Sequence, residues 1–424
     1  MSKPAGTTIH LAEALAAWAV RLDPTAEDLD LAERALLDTM AVTLAARDHP
    51  LAQVAGGLQD AARWASIGHV LDFDDLHLPS TAHVSVVCVP AVLASGGDAR
   101  AYLAAAGVMA RLGTALGWEH YARGWHATCT AGAPAAAVGA GLSLGLDAEG
   151  LAQAIALAVP AAGGVQRAFG TSAKSLQVGF AAQAGVLAAD LVAAGASADP
   201  SALDQWLPLV GGDAGRLSLT GPAVPGGLAV KLFPCCYALQ RPIGAMRMLL
   251  EPEPPPPRPE EVARVVVRTP EAALQPLIHR RPTTGLQGKF SMEYALAATL
   301  LDGYPGFASF TDEAVNRPAA RALVERVEVV TFPGGQDLLA GDVRVELLLT
   351  DGSTLGARLE APSGAPSRPP GRADLDAKLA DCGGDVPGLL AGLTWQAAVR
   401  VLQERLPAGA LALQPVRSVS GEVS

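Results

Sequence analysis

Between residues 8 and 47 the apolar positions recur at helical spacing. Leu11, Leu15 and Trp18 share one face, Leu31, Leu36 and Leu37 another, and Asp23-Pro24-Thr25 breaks the run between them. From 99 to 250 the pattern is alanine-rich helix interrupted by glycine and proline, clearest over 130–144, 150–159 and 177–194, with no convincing period-two alternation. The run Glu251-Pro-Glu-Pro-Pro-Pro-Pro-Arg-Pro259 ends this regime, because prolines at that density stop a helix and favour an extended spacer. Residues 262–268 are then rich in β-branched side chains. Val327–Phe332 and Val343–Leu349 predict strands, and Asp351-Gly352 predicts a hairpin turn into Thr354–Leu359. After a second proline- and glycine-rich stretch, 362–371, helical periodicity resumes at 374–379 and 395–406, and the tail after Pro407 reads as poorly ordered. The pattern predicts a mainly α protein with an α+β second domain: helices over 1–250, an α+β region over 260–373, and a return to helix over 374–424. No repeat of fixed period stands out.

Composition sharpens this in three ways. A chain of 424 residues exceeds what one core usually holds, so two domains are expected. Half the residues are hydrophobic but only 4% are aromatic, so small aliphatic side chains must do the packing, which suits close helix–helix contact. The formal charge of −11 argues against nucleic-acid binding, which needs a basic surface. An anionic substrate would then need a locally positive pocket. The start, Met1-Ser-Lys-Pro-Ala-Gly, lacks a basic region followed by an apolar core, and apolar runs such as 131–146 are broken by glycine and proline. The expectation is buried helices of a soluble, cytoplasmic protein with no membrane partner. Five cysteines, odd in number and scattered, fit neither a disulfide framework nor a metal-binding spacing. With no glycine fingerprint for a dinucleotide either, no metal and no cofactor are expected.

The chemistry concentrates in three places. Residues 68–83 hold three carboxylates (Asp72, Asp74, Asp75) and three histidines (His69, His77, His83), in a chain with 17% charged residues and eight histidines in all. Such crowding of titratable groups in an apolar protein points to a site where their pKa values matter. Gly124-Trp125-His126 leads into a run of small residues, and Lys174 lies in Phe169-Gly-Thr-Ser-Ala-Lys-Ser. This last segment is not a phosphate-binding loop, because Ala173 stands where the glycine before the lysine must be. Five blocks in order, Leu71-Asp-Phe-Asp-Asp75, Gly124-Trp-His-Ala-Thr-Cys-Thr-Ala-Gly132, Gly170-Thr-Ser-Ala-Lys174, Lys231-Leu-Phe-Pro-Cys-Cys236 and Thr284-Gly-Leu-Gln-Gly-Lys-Phe-Ser-Met-Glu-Tyr294, resemble the MmgE/PrpD family over nearly the whole chain. That family includes 2-methylcitrate dehydratase, cis-aconitate decarboxylase and iminodisuccinate epimerase.

The resemblance implies that the C-terminal segment folds back to complete the helical domain, that the α+β region acts as a lid, and that the site lies between them in a homodimer. It also implies proton transfer at a carbon next to a carboxylate. Such a site must hold the carboxylate, stabilise developing charge, and place an acid and a base near the carbon. On the matched motifs, Asp72 is the site carboxylate, with Asp74 and Asp75 reading equally well as structural. His83 is the family histidine after that block, with His77 its competitor. His126 is the leading acid/base candidate, against a histidine that merely starts a helix. Lys174 sits among apolar residues, where an unpaired ammonium is costly, so a substrate carboxylate is its expected partner. Lys231 and Lys289 are further cations within matched blocks and candidates for substrate binding. Tyr294 corresponds to a tyrosine lining the site in the decarboxylase branch, and reads equally as a core tyrosine.

Several positions depart from the family. Leu76 stands where the decarboxylase branch has threonine, Gln177 replaces a histidine after the lysine, and Cys236 and Gln240 occupy the region where a further histidine is common. A pocket with fewer cationic groups should hold a less highly charged acid than citrate or aconitate. The expected function is a cofactor-free lyase dehydrating a 2-methylcitrate-like hydroxy acid. The alternatives are decarboxylation of a cis-aconitate-like acid, epimerisation on the same scaffold, or an inactive helical binding protein. Retention of His126 and Lys174 speaks against the last.

Overall fold

Alanine and glycine let helices approach more closely than larger side chains would, and the first half of the chain is built on that. The computed structural model describes residues 9–251, 255–335 and 337–410. The ends of the sequence, 1–8 and 411–424, and part of the proline spacer, 252–254, lie outside the described residues. The early periodicity forms two helices, Leu11–Arg21 and Ala26–Ala45. The second is capped by Thr25, whose side chain accepts from the Asp28 amide while Asp28 returns a bond to the Thr25 amide.

The long apolar helix Ser172–Ala193 packs one face into the helical domain, against Ala127–Ser143 and Asp60–His69. It starts five residues earlier than the pattern predicts, because Thr171 caps it by accepting from the Ala173 amide. Two of its glycines are there for contact. A Cβ on Gly185 would lie 2.4–2.5 Å from Ala136 Cβ, Ala133 O and Ala137 N, and one on Gly179 would lie 2.1 Å from Ser66 Oγ and 2.4 Å from Ala62 O. Among the described residues, this is the one helix long and apolar enough to cross a membrane by length and composition. Here it packs against four neighbouring helices and carries the buried Lys174.

All four predicted strands form, as one mixed sheet in the order β2-β1-β3-β4. β1 (Val262–Pro270) pairs parallel with β2 (Val327–Phe332) and antiparallel with β3 (Val343–Leu349), which turns through Asp351-Gly352 into antiparallel β4 (Thr354–Leu359). Val343, Val345 and Leu347 of β3 point into the core, and Arg344 and Glu346 point out. Helices Gln240–Leu249, Met292–Asp302 and Pro318–Val324 pack with the sheet around a second hydrophobic cluster. Gln240–Leu249, which composition assigned to the helical domain, thus belongs with the sheet: its Ile243, Ala245 and Met246 are buried there.

The returning helices Arg372–Asp381, Val386–Leu390 and Trp395–Arg405 bury Cys382, Val386, Leu390, Ala398 and Leu402 in the core of the helical domain. Asp385 forms a two-pronged ion pair with Arg47 at 2.9 and 3.0 Å. The architecture is a large helical domain plus a small α+β domain.

Candidate functional site

The acidic, histidine-rich stretch leaves helix Asp60–His69 and crosses the middle of the molecule. Asp72 adopts a left-handed backbone at φ 53°, a conformation that aspartate tolerates better than most residues. Three buried lysines from distant segments hold the turn by donating to three successive carbonyls. Lys289 bonds Leu71 O at 2.8 Å, Lys231 bonds Asp72 O at 2.9 Å and Lys378 bonds Phe73 O at 2.9 Å.

Asp72 is the electrostatic centre. Its Oδ1 accepts from Lys174 at 3.0 Å and Lys231 at 2.8 Å, while Oδ2 has no partner among the described residues. Burial alone would raise its pKa, but Lys174, Lys231 and the nearby His83 and His69 more than reverse this and hold it far below the usual carboxylate range. Behind it, His69 Nδ1 bonds Asp74 Oδ2 at 2.8 Å, and Lys174 Nζ meets His69 Nε2 at 2.5 Å. His83 Nδ1 lies 2.9 Å from the same Asp74 oxygen, near enough for an ion pair but out of line for a hydrogen bond. Burial alone raises Asp74 as well, and the charge that His69 and His83 gain as they take up protons, with the hydrogen bond from His69, brings it well below the ordinary range. Asp75 faces away. Burial, with little relief from its bonds to Ser85 and with Asp38 and Asp74 nearby, pushes it up to about 7.

His126 is the N-cap residue of helix Ala127–Ser143, placed by its amide bond to Gly164 O at 3.0 Å. Its Nδ1 receives Gln177 Nε2 at 2.8 Å, and its ring meets Phe169 edge-on at 5.0 Å. Burial, then the Lys174 charge, depress its pKa well below 6.5; burial takes His83 down to about 4. Both imidazoles are therefore neutral at pH 7. Lys174 sits in the first turn of Ser172–Ala193, so two helix N-termini converge here, and their dipoles favour an anion.

Asp72, Leu76, His83, His126, Lys174 and Cys236 line one small cavity, closed by Phe169, Phe290 and Leu338. Its free space is about 20 Å³, the room one water needs, so a carboxylic acid enters only if the lining parts. Arg241, fully buried, donates to the carbonyls of Leu338, Leu339, Ala340 and Gly341 and thereby holds the segment that carries Leu338.

Of the residues expected from sequence, Lys231 and Gln177 stand one step back, bonded to Asp72 and His126. Four others do different work. His77 turns away because Leu76 and His77 are consecutive in extended backbone and so point to opposite sides; it bonds Ser80 Oγ and Pro225 O. Gln240 closes its own loop through the Leu232 and Phe233 amides and Phe233 O. Lys289 spends its ammonium on Leu71 O and Pro234 O, and among the described residues it makes no ion pair. Tyr294 donates to Ser309 O within the second core, which makes it the core tyrosine of the two readings. His69 is the residue the sequence underplays. At a helix end among apolar residues it looks like packing, and only its offsets to Asp72 and Asp74 hint at more.

A metal would find donors here, since one ligand atom from each of His69, Asp72, Asp74 and His83 lies within 4.8 Å of the others. Two ammonium groups already neutralise Asp72 at Oδ1, however, and would repel a cation.

The MmgE/PrpD N-terminal domain model matches residues 57–206 and the MmgE/PrpD C-terminal domain model matches 233–403. Among curated proteins, the chain is 27% identical over 334 residues to a cis-aconitate decarboxylase of Aspergillus terreus, covering 69% of this chain and 68% of that one. It is 26% identical over 345 residues to the cis-aconitate decarboxylase of Homo sapiens, covering 73% and 69%.

Proposed function

Because the chain belongs to the MmgE/PrpD family, we propose that it is a lyase that moves a proton at a carbon α to a carboxylate, without metal or organic cofactor. One observation carries this reading: two neutral imidazoles, His126 and His83, share a cavity with the Lys174 ammonium and the ionised Asp72. A neutral imidazole is a base, and an ammonium beside it holds a carboxylate and stabilises charge that develops on it. Dehydration follows in balanced steps. An imidazole takes the α-proton, the C–O bond to the leaving hydroxyl breaks as the C=C bond forms, and a second group supplies the proton that releases water.

The apolar lining, with Leu76 and Leu338 beside Phe169 and Phe290, suits a 2-methylcitrate-like hydroxy acid with fewer charges than citrate. The second reading, decarboxylation of a cis-aconitate-like acid, is favoured by the activity named for the relatives. There the C–C bond to a carboxylate breaks, CO2 leaves, and an acid protonates the resulting carbanion. Proton NMR in deuterated water with 2-methylcitrate, citrate and cis-aconitate separates the two. Dehydration converts a hydroxy acid to an unsaturated one; decarboxylation releases CO2 and leaves one deuterium on carbon. If none of the three acids is turned over and none exchanges its α-proton, the proposal fails.

The proposal includes a cytoplasmic homodimer. Phe180, Leu187 and Leu191 lie exposed along one stripe of helix Ser172–Ala193, a face suited to a second copy. Sedimentation should show twice the 43.2 kDa chain mass, and Phe180→Glu should release monomers. A wild-type monomer at micromolar concentration would rule the dimer out.

A further inference from the structure

We infer that His69 is a positioning residue: a hydrogen-bond acceptor of fixed direction, set by Asp74, that aims the Lys174 ammonium at the cavity. The inference deepens the lyase reading and rests on it for what Lys174 binds. An ionised carboxylate can only accept, so the 2.8 Å contact between Asp74 Oδ2 and His69 Nδ1 puts the imidazole proton on Nδ1. In the neutral ring, Nε2 then carries only a lone pair, and that lone pair faces Lys174 Nζ. The ammonium has three N–H bonds. One goes to His69 Nε2 and one to Asp72 Oδ1, which leaves the third for the cavity that Lys174 lines. The opposite tautomer would set N–H against N–H at Lys174 and lone pair against carboxylate at Asp74. His69 does not itself line the cavity, so it acts through Lys174.

The arrangement has an acid-side weakness. A second proton on His69 lands on Nε2, turns the acceptor into a donor and pushes the ammonium away. The groups that face His69 are few. Lys174 comes from Ser172–Ala193, Asp72, Asp74 and His83 from the following loop, and His126 stacks at 5.9 Å while His83 meets the ring edge at 4.7 Å. Helix Ser85–Ala94, packed alongside, brings only Cys88, and Asp38 of Ala26–Ala45 acts from behind through Asp74.

Two measurements on the full chain test this. With isotope-labelled histidine, nitrogen NMR at about pH 7.5 should show His69 neutral with its proton on Nδ1, and Lys174→Met should shift the Nε2 signal. A proton on Nε2, or no response to Lys174→Met, overturns the inference. Calorimetry with cis-aconitate as probe, at about pH 7.5, tests the consequence for binding. His69→Phe should weaken binding by about 10-fold or more, the range for a lost hydrogen bond to a charged group. In His69→Gln the side-chain amide still accepts from Lys174 and still donates to Asp74, and it should bind like wild type. A loss in His69→Gln equal to that in His69→Phe overturns the inference. If wild type does not bind cis-aconitate, that counts against the proposed substrate class, and the tautomer still decides the role of His69.

Discussion

At the scale of single residues, the site is a buried charge balance, and removing its parts should have different signatures. His126→Ala should reduce turnover by roughly a hundred- to ten-thousand-fold, the usual contribution of a general acid or base, with little change in melting temperature. Lys174→Met should raise KM more than it lowers kcat, because it removes a carboxylate anchor. Steady-state kinetics on the substrate identified by NMR checks both. The pH dependence of stability follows from the buried imidazoles. An unfolded histidine takes a proton near pH 6.5, whereas folded His83 resists until about 4, and His69 and His126 are also lowered. The unfolded state therefore binds more protons in that window, and stability should fall as pH drops below about 6.5. Asp72 and Asp74, lowered in the fold, add a further loss as pH falls through 3.8 and below. Asp75 works in the opposite sense: raised to about 7, it contributes stability at low pH that is lost as pH climbs through that value. Melting temperature measured from pH 8 down to pH 5 should peak and then decline, and a flat acid limb would contradict the neutral-imidazole assignment. His83, His126 and Lys174 stand out in the sequence because histidine and lysine are rare here, and Asp72 because it lies in a cluster of three aspartates among histidines. The roles of His77, Gln240, Lys289 and Tyr294 do not, because a polar side chain serves a backbone carbonyl or a substrate equally well, and only its neighbours decide which.

At the scale of elements, helix Ser172–Ala193 connects packing to chemistry. Its glycines bring its backbone against Ala127–Ser143 and Asp60–His69, and its first turn then holds Lys174 at Asp72 and His69. Gly185→Ala forces a methyl into backbone atoms of the neighbouring helix. It should cost about 1–3 kcal/mol, as overpacking of a tight core does, and it should lower activity by shifting Lys174. Calorimetric melting and turnover of the variant read the two effects separately; an unchanged melting temperature would mean that the close approach is not required. The alanine-rich pattern made this element legible as a helix. It left its start obscure, because the Thr171 cap falls inside a run of small residues with no hydrophobic period.

At the scale of the whole molecule, the turn at Asp72 is held from three directions. Lys289 reaches it from beside the sheet, Lys231 from the connection between the two cores, and Lys378 from the returning C-terminal helix, where it also pairs with Asp38 at 2.6 Å. Lys289→Met should leave Leu71 O and Pro234 O without their donor. The expected loss is about 1.5–3 kcal/mol, the range for hydrogen bonds to charged groups. Hydrogen exchange should report it as weaker protection across 71–75, and unchanged protection there would show that the tie carries no strain between the two parts.

The amino-acid pattern by itself determined the alanine-rich helices, the four strands and the family, since periodicity, proline punctuation and ordered motifs are local properties of the chain. It also concentrated the rare titratable residues into few segments. Tertiary structure alone decided which of them share a cavity and which brace it. Leu71, Asp72 and Phe73 receive lysines from positions 289, 231 and 378, and His69 meets a lysine 105 residues away. The pKa values that define the chemistry come from burial and from charges brought together across those distances, and no spacing along the sequence records them.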